Sequence, residues 1–159
     1  MKKWQYTKGL HDLGANSWAW LAPDGGWGWS NAGLITDGEE SLLVDTLFDC
    51  KLTAEMLAAM RDAAPAATSI DRLVNTHANG DHCFGNGLVP EAEIISSEAS
   101  AAEMNDFPPQ TAAMLMKNAP NMGPLGEYLM ECFGDFDFED IALVPTTRPV
   151  LVSAKSRNP

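Results

Sequence analysis

Basic residues are scarce in this 159-residue chain: ten Lys and Arg stand against 22 Asp and Glu, a formal net charge of −12. That balance argues against the basic patches that hold nucleic acid or an anionic membrane surface, so neither is expected as a partner. Cysteine is sparse too. Cys50, Cys83 and Cys132 are odd in number and far apart, which argues against a disulfide framework and suits a reducing, cytoplasmic compartment. No apolar run approaches the roughly 20 residues of a membrane-spanning helix. Met1-Lys2-Lys3 leads into Trp4-Gln5-Tyr6-Thr7-Lys8, which is no signal-peptide core. Phosphate loop, dinucleotide fingerprint and serine nucleophile elbow are all missing. The acidic run from Asp135 to Asp140 lacks the spacing and glycine of a calcium loop.

What is present is a soluble-domain composition, 45% hydrophobic, in a length that can bury one core. Its chemistry is concentrated in Val74-Asn75-Thr76-His77-Ala78-Asn79-Gly80-Asp81-His82-Cys83. Two of the three histidines and a carboxylate fall within six positions. Imidazole and carboxylate suit zinc and other borderline divalent metals. The apolar run Ile70 to Val74 before them predicts a buried strand, and Gly80 lets the following loop fold His77 back toward Asp81 and His82.

The surrounding chain reads as α/β. Trp4 to Leu13 predicts a first strand. Trp18 and Trp20, then Trp27 and Trp29, flank the turn-rich Pro23-Asp24-Gly25-Gly26 and predict an aromatic hairpin. It reads as an edge hairpin covering the core, and the glycines around Trp27 and Trp29 give its tip the mobility a lid needs. Strands from Ala32 to Thr36 and Ser41 to Thr46 are joined through the turn signal Asp37-Gly38. Asp49 can cap a helix from Lys51 to Ala63, whose Leu52, Met56, Leu57 and Met60 share a face, and Pro65 ends it. Strand, helix, strand makes a βαβ unit, and ligands in such units bind at the carboxyl ends of the strands, where His77 sits. Ala92 to Ser96 predicts another strand, with Ser97 capping a helix that Pro108-Pro109 stops, and Thr111 to Lys117 a short helix. Leu125, Tyr128, Leu129, Cys132 and Phe133 form a helical stripe expected to face the core, with a partner as the alternative. Phe136 and Phe138 alternate with acids as a linker strand would. Cys83 reads as a small buried thiol, and His11 as an ordinary strand histidine.

Thr76-His77-x-Asn79-x-Asp81-His82, followed by Gly85-Asn86, resembles the His-x-His-x-Asp-His signature of metallo-β-lactamase-fold hydrolases, with Asn79 where the second histidine is usual. Ser41 to Thr46 resembles the family strand that ends in an aspartate supporting the metal loop from behind, which here is Asp45. The resemblance runs from Trp4 to Arg148 and matches the first half of a family chain. It implies half of an αββα sandwich over residues 1–148, with a mixed, hairpin-rich sheet and helices on one face, followed by a polar tail, 149–159. It also implies zinc, one or two ions, held by His77, Asp81 and His82. Asp81 would orient or deprotonate water, Asp45 and Asn79 would stand behind the ligands, and Trp27 and Trp29 would line the substrate pocket. A neutral amide at Asn79 is a poorer ligand than imidazole, and no histidine follows His82 to complete a second half.

The expected function is therefore metal-dependent hydrolysis of a small molecule through activated water, impaired or incomplete in this chain alone. The alternatives are a metal-poor binding module that keeps the fold, and a truncated piece of a longer hydrolase that works only on association. Strand alternation divides Leu34, Ile35, Leu42, Leu43, Val44, Leu73 and Val74 between two sheet faces, of which the helices can cover one. A homodimer is the expected cover for the other.

Overall fold

In the computed structural model, which describes residues 6–23 and 25–151, the strands form one seven-stranded sheet in chain order. β1 (Gly9–Gly14), β2 (Ser17–Leu21), β3 (Ala32–Asp37) and β4 (Glu40–Val44) make an antiparallel meander. β5 (Arg72–Val74), β6 (Glu93–Ser97) and β7 (Arg148–Val150) continue it in parallel from β4. Five α-helices accompany them among the described residues: α1 (Cys50–Ala63), α2 (Gly80–Cys83), α3 (Glu98–Glu103), α4 (Pro109–Asn118) and α5 (Pro124–Phe133). The fold is α/β with a mixed sheet, as the sequence predicts.

The crossover from β4 to β5 fixes the architecture. Asp49 caps α1 by accepting from the Leu52 amide at 2.7 Å, and the helix ends before Pro65. Its Met56, Leu57 and Met60 are buried with Leu34, Leu43, Leu73 and Ile94, which sit in one row across β3, β4, β5 and β6. Burying each such side chain is worth roughly 1.5–3 kcal/mol, so this layer is the main stabilising contact of the sheet. The opposite face carries Leu42, Val44, Val74 and Ile95, all half-buried, and Ile35, which is 45% exposed.

A second core was not legible as one. Phe136 and Phe138 form no strand; both are buried and converge on Phe48, whose ring centroid lies 5.0 and 4.8 Å from theirs. Phe84 and Phe133 approach the same ring at 5.6 and 6.0 Å.

Other expectations change in detail. The first strand begins at Gly9; Trp4 and Gln5 lie outside the described residues. Trp18 and Trp20 do share a face of β2, which pairs with β1 and β3, while Trp27 and Trp29 lie on the loop from β2 to β3 and form no hairpin. Proline splits the segment after β6: α3 ends at Glu103, and Pro109 opens α4 instead of stopping a helix. The α5 stripe faces the core only in part: Phe133 packs against the second core, while Leu125 and Tyr128 are 55% and 50% exposed. Residues 148–150, where the polar tail was expected to begin, form the edge strand β7; residues 152–159 lie outside the described residues.

Candidate metal centre

The centre forms where the parallel strands end. The β4–β5 ladder continues past the strands through the Asp45 amide, which donates to Val74 O at 2.9 Å. Three residues beyond Val74 comes His77, and α2 carries Asp81 and His82. The turn between them needs glycine because a Cβ on Gly80 would lie 2.6 Å from the Phe84 ring; its φ is not in the left-handed region, so close approach is the reason. His77, Asp81 and His82 thereby present one ligand atom each, all within 4.8 Å of one another. The two imidazole rings are 4.0 Å apart. This group could hold a metal ion.

Asp45 organises the group from below. It is buried, with φ at 61°, a conformation a non-glycine residue adopts at a cost of about 1–3 kcal/mol. Three donors offset that cost and its desolvation. The Thr76 amide donates to Oδ1 at 2.7 Å, the Thr76 hydroxyl to Oδ2 at 2.7 Å, and His82 Nδ1 to Oδ2 at 2.9 Å. Thr76 Oγ1 also lies 2.9 Å from His77 Nδ1. A carboxylate only accepts, so the hydroxyl proton goes to Asp45 and Oγ1 accepts from His77 Nδ1–H. Nε2 of each histidine is thereby left free to serve as the ligand atom.

The charges favour this arrangement. Burial opposes a charged His82, but its hydrogen bonds to Asp45 and Asp81 outweigh that and raise its pKa to about 9. Burial likewise opposes an ionised Asp81, and the hydrogen bond and charge of His82, whose Nε2 is 3.3 Å away, outweigh it and hold Asp81 below the usual carboxylate range. The Asp81 carbonyl accepts from the Ser30 hydroxyl, tying α2 to the tryptophan loop.

The remaining expected residues separate. Asn79 is exposed, stands at the N-terminus of α2 and lines the cavity beside Asp81. Trp27 lines the same cavity, of about 480 Å³. Trp29 does not: it packs on Phe136 at 4.9 Å, a wall of the second core. Gly28 between them has φ 77°, and any side chain there would overlap the Phe48 ring, so this loop is pressed onto the core more closely than a free lid. Cys83 is buried, its thiol directed at the carbonyls of Ala78 and Asn79. Burial, aided by the Asp81 and Asp45 charges, pushes it up to about 12, which leaves it protonated and no ligand. His11 sits in β1, outside that group, with Nε2 bonded to Thr7 O at 2.7 Å.

Sequence reasoning gave no role to Thr76 or to the buried pair Asn75 and Asn86. Asn86 Nδ2 donates to Asn75 Oδ1 at 2.9 Å and to Val144 O at 3.1 Å, while Asn75 Nδ2 donates to His82 O at 2.8 Å. The signal was available: polar residues directly flanking a strand end and a histidine.

A mixed-sheet α/β domain with an imidazole–carboxylate group beyond its parallel strand ends presents a candidate metal site. Residues 25–150 match the family model described as the Metallo-beta-lactamase superfamily, and the chain belongs to that family. Among solved structures it is similar to a metallo-beta-lactamase from Hirschia baltica, at 23% identity and TM-score 0.49, covering 61% of this chain and 46% of that one. A metallo-beta-lactamase from Erythrobacter litoralis gives 19% identity and TM-score 0.48, covering 61% and 44%. The chain thus spans less than half the length of these two proteins. No curated protein matches it. No described helix is long and apolar enough to cross a membrane.

Proposed function

We propose that this chain is a metal-dependent hydrolase acting on a small molecule, with zinc as the ion. One observation carries the reading: a single buried carboxylate, Asp45, engages Nδ1 of His82 directly and Nδ1 of His77 through the Thr76 hydroxyl, which leaves Nε2 of each ring free as a ligand atom. A donor set of two imidazoles and one carboxylate suits zinc, and catalytic zinc uses three protein ligands. Held by His77, Asp81 and His82, a divalent ion supplies Lewis acidity, polarising a carbonyl or phosphoryl oxygen and making water more acidic. The chain's own residues do the rest. Asp45 and Thr76 hold the ring tautomers, Asp81 offers a carboxylate oxygen to the cavity as proton acceptor, and Trp27 and Phe107 shape its mouth.

Elemental analysis after dialysis, followed by ester and lactone turnover with and without added zinc, tests it. About one equivalent of zinc and zinc-dependent turnover support the reading; no retention and no turnover refute it. A second reading, a binding module that has lost the metal, is favoured by Asn79, a neutral amide where the resembled motif has an imidazole. That reading expects small-molecule binding with no metal content.

We also propose that a second copy covers the open sheet face. Leu42, Val44, Val74 and Ile95 lie there beside Ile35. The same face bears the ion pairs Arg72–Glu40 and Arg148–Glu93, both 3.1 Å. A two-fold axis would set these arginines against the other copy's glutamates while the apolar row packs on itself.

A further inference from the structure

α2 is four residues long. A single helical turn fixes several backbone angles for one hydrogen bond and does not stand by itself, and the last carbonyls of a helix have no donor within it. What holds this turn comes from outside. The Asp81 carbonyl accepts from the Ser30 hydroxyl. The next one, His82 O, accepts from the Thr46 amide at 3.1 Å and from Asn75 Nδ2 at 2.8 Å, which occupies both lone pairs of a carbonyl oxygen.

Behind His82 O the side chains close a circuit. Thr46, Asn75 and Asn86 are all buried. The second proton of Asn75 Nδ2 goes to Asn86 Oδ1 at 3.3 Å. The one hydroxyl proton of Thr46 goes to the same oxygen at 3.1 Å, nearer than His82 O at 3.4 Å. Asn86 Nδ2 returns a proton to Asn75 Oδ1 at 2.9 Å and gives its other to Val144 O at 3.1 Å. Turning either amide over would set nitrogen against nitrogen and oxygen against oxygen, so the pattern admits one orientation of each. Buried polar groups are costly unless paired, and among the described residues no buried side-chain nitrogen or oxygen lacks a partner.

We propose that Asn75 and Asn86 are positioning residues of the metal centre. They clamp the main chain of His82 while Asp45 holds its ring through Nδ1 at 2.9 Å, so this ligand is fixed at both ends before an ion arrives. Through Val144 the clamp also rests on the connection between α5 and β7, which makes that distant segment part of the support. A ligand already ordered loses little conformational freedom on binding, whereas one on a loose turn must be ordered first. The inference rests on His77, Asp81 and His82 as metal ligands and is independent of the reaction that follows.

Asn75→Ala removes the side-chain donor to His82 O and leaves the Thr46 amide bond and the Asp45 bond in place; Asn75→Ser replaces it if the first does not fold. Met60→Ala, in the α1 layer and outside this network, is the control for lost stability alone. Two measurements on the full chain, made below its melting range, decide the matter. In metal-free protein the downfield proton resonance of His82 Nδ1–H reports the bond to Asp45; it should shift or broaden in Asn75→Ala and stay in Met60→Ala. With cobalt(II) as the probe, Asn75→Ala should bind about ten- to a hundredfold more weakly, with an altered visible spectrum, and Met60→Ala should match the unaltered chain. An unchanged resonance and cobalt affinity in the Asn75 variant, or equal losses in Met60→Ala, overturn the proposal. Absence of cobalt binding by the unaltered chain refutes the ligand assignment instead, and the proton resonance then decides whether the clamp holds the ring.

Discussion

Loading the centre with zinc should release a proton from His82, and the pH dependence of affinity should report it. In the metal-free protein both ring nitrogens of His82 face carboxylates: Nδ1 is 2.9 Å from Asp45 and Nε2 is 3.3 Å from Asp81. With its pKa raised to about 9, the ring is an imidazolium at neutral pH. A metal needs Nε2 deprotonated, while Nδ1–H keeps its bond to Asp45. Apparent affinity should therefore climb about tenfold per pH unit through the neutral range and level off near pH 9. Asp81, held below the usual carboxylate range, contributes no proton. Competition with a chromophoric chelator across pH gives the slope, and calorimetry in buffers of different ionisation enthalpy counts the protons. Asp45→Asn removes the anionic partner, which should lower the ring pKa and flatten the slope while weakening binding. A pH-independent affinity in the unaltered protein, with no proton released, would refute the idea that His82 is both a ligand and a charged partner of Asp45.

Three shorter expectations follow from the same contacts. Because the folded state raises the His82 pKa above its unfolded value near 6.5, the pair stabilises the metal-free protein fully below that pH and loses its contribution as pH rises through about 9; the melting temperature should fall across that window, and less so in His82→Gln. Asn86→Ala strips partners from Thr46 Oγ1, Asn75 and Val144 O at once and should cost roughly 2–4 kcal/mol by denaturant titration; a loss below about 1 kcal/mol would mean the network relaxes. Light scattering should give a solution mass twice the 17.1 kDa of one chain, falling to one chain when Ile35 and Val44 are both made Asp, and a monomer before mutation would remove the sheet-face dimer.

Much of the centre was legible because its residues are local. His77, Asp81 and His82 fall in one short run after an apolar strand, and the capped helix after Asp45 sets the parallel crossover that brings β4 beside β5. Burial by partners far along the chain was not legible. Phe136 and Phe138 alternate with acids as an exposed strand would, and packing against Trp29, Phe48 and Phe84, all at least 50 residues earlier, makes them core. The α5 stripe held only in part, for the opposite reason: periodicity reveals an apolar face but not what lies against it, so Phe133 meets the second core while Leu125 and Tyr128 face solvent. Tryptophans two apart share a face only in extended chain, so Trp27 and Trp29, on a loop pivoting at Gly28, went separate ways.

Thr76 offers the sharpest separation of position from charge at the centre. Its hydroxyl has one proton, and Asp45 can only accept it, so the hydroxyl oxygen is left to receive His77 Nδ1–H. Asp45 thus reaches one histidine directly and the other through Thr76. Thr76→Val keeps the volume and the main-chain bond to Asp45 Oδ1 but removes this link, leaving His77 free to adopt the other tautomer or rotate. Zinc affinity should drop about ten- to a hundredfold, the usual loss when a partner behind a metal ligand is removed. Thr76→Ser restores the hydroxyl and should recover most of it. The proton count on zinc binding should stay the same in both variants, because His82 keeps its own bond to Asp45. If Thr76→Val binds zinc as tightly as the unaltered chain, His77 does not need the relay, and the ring is held by packing against His82 at 4.0 Å instead.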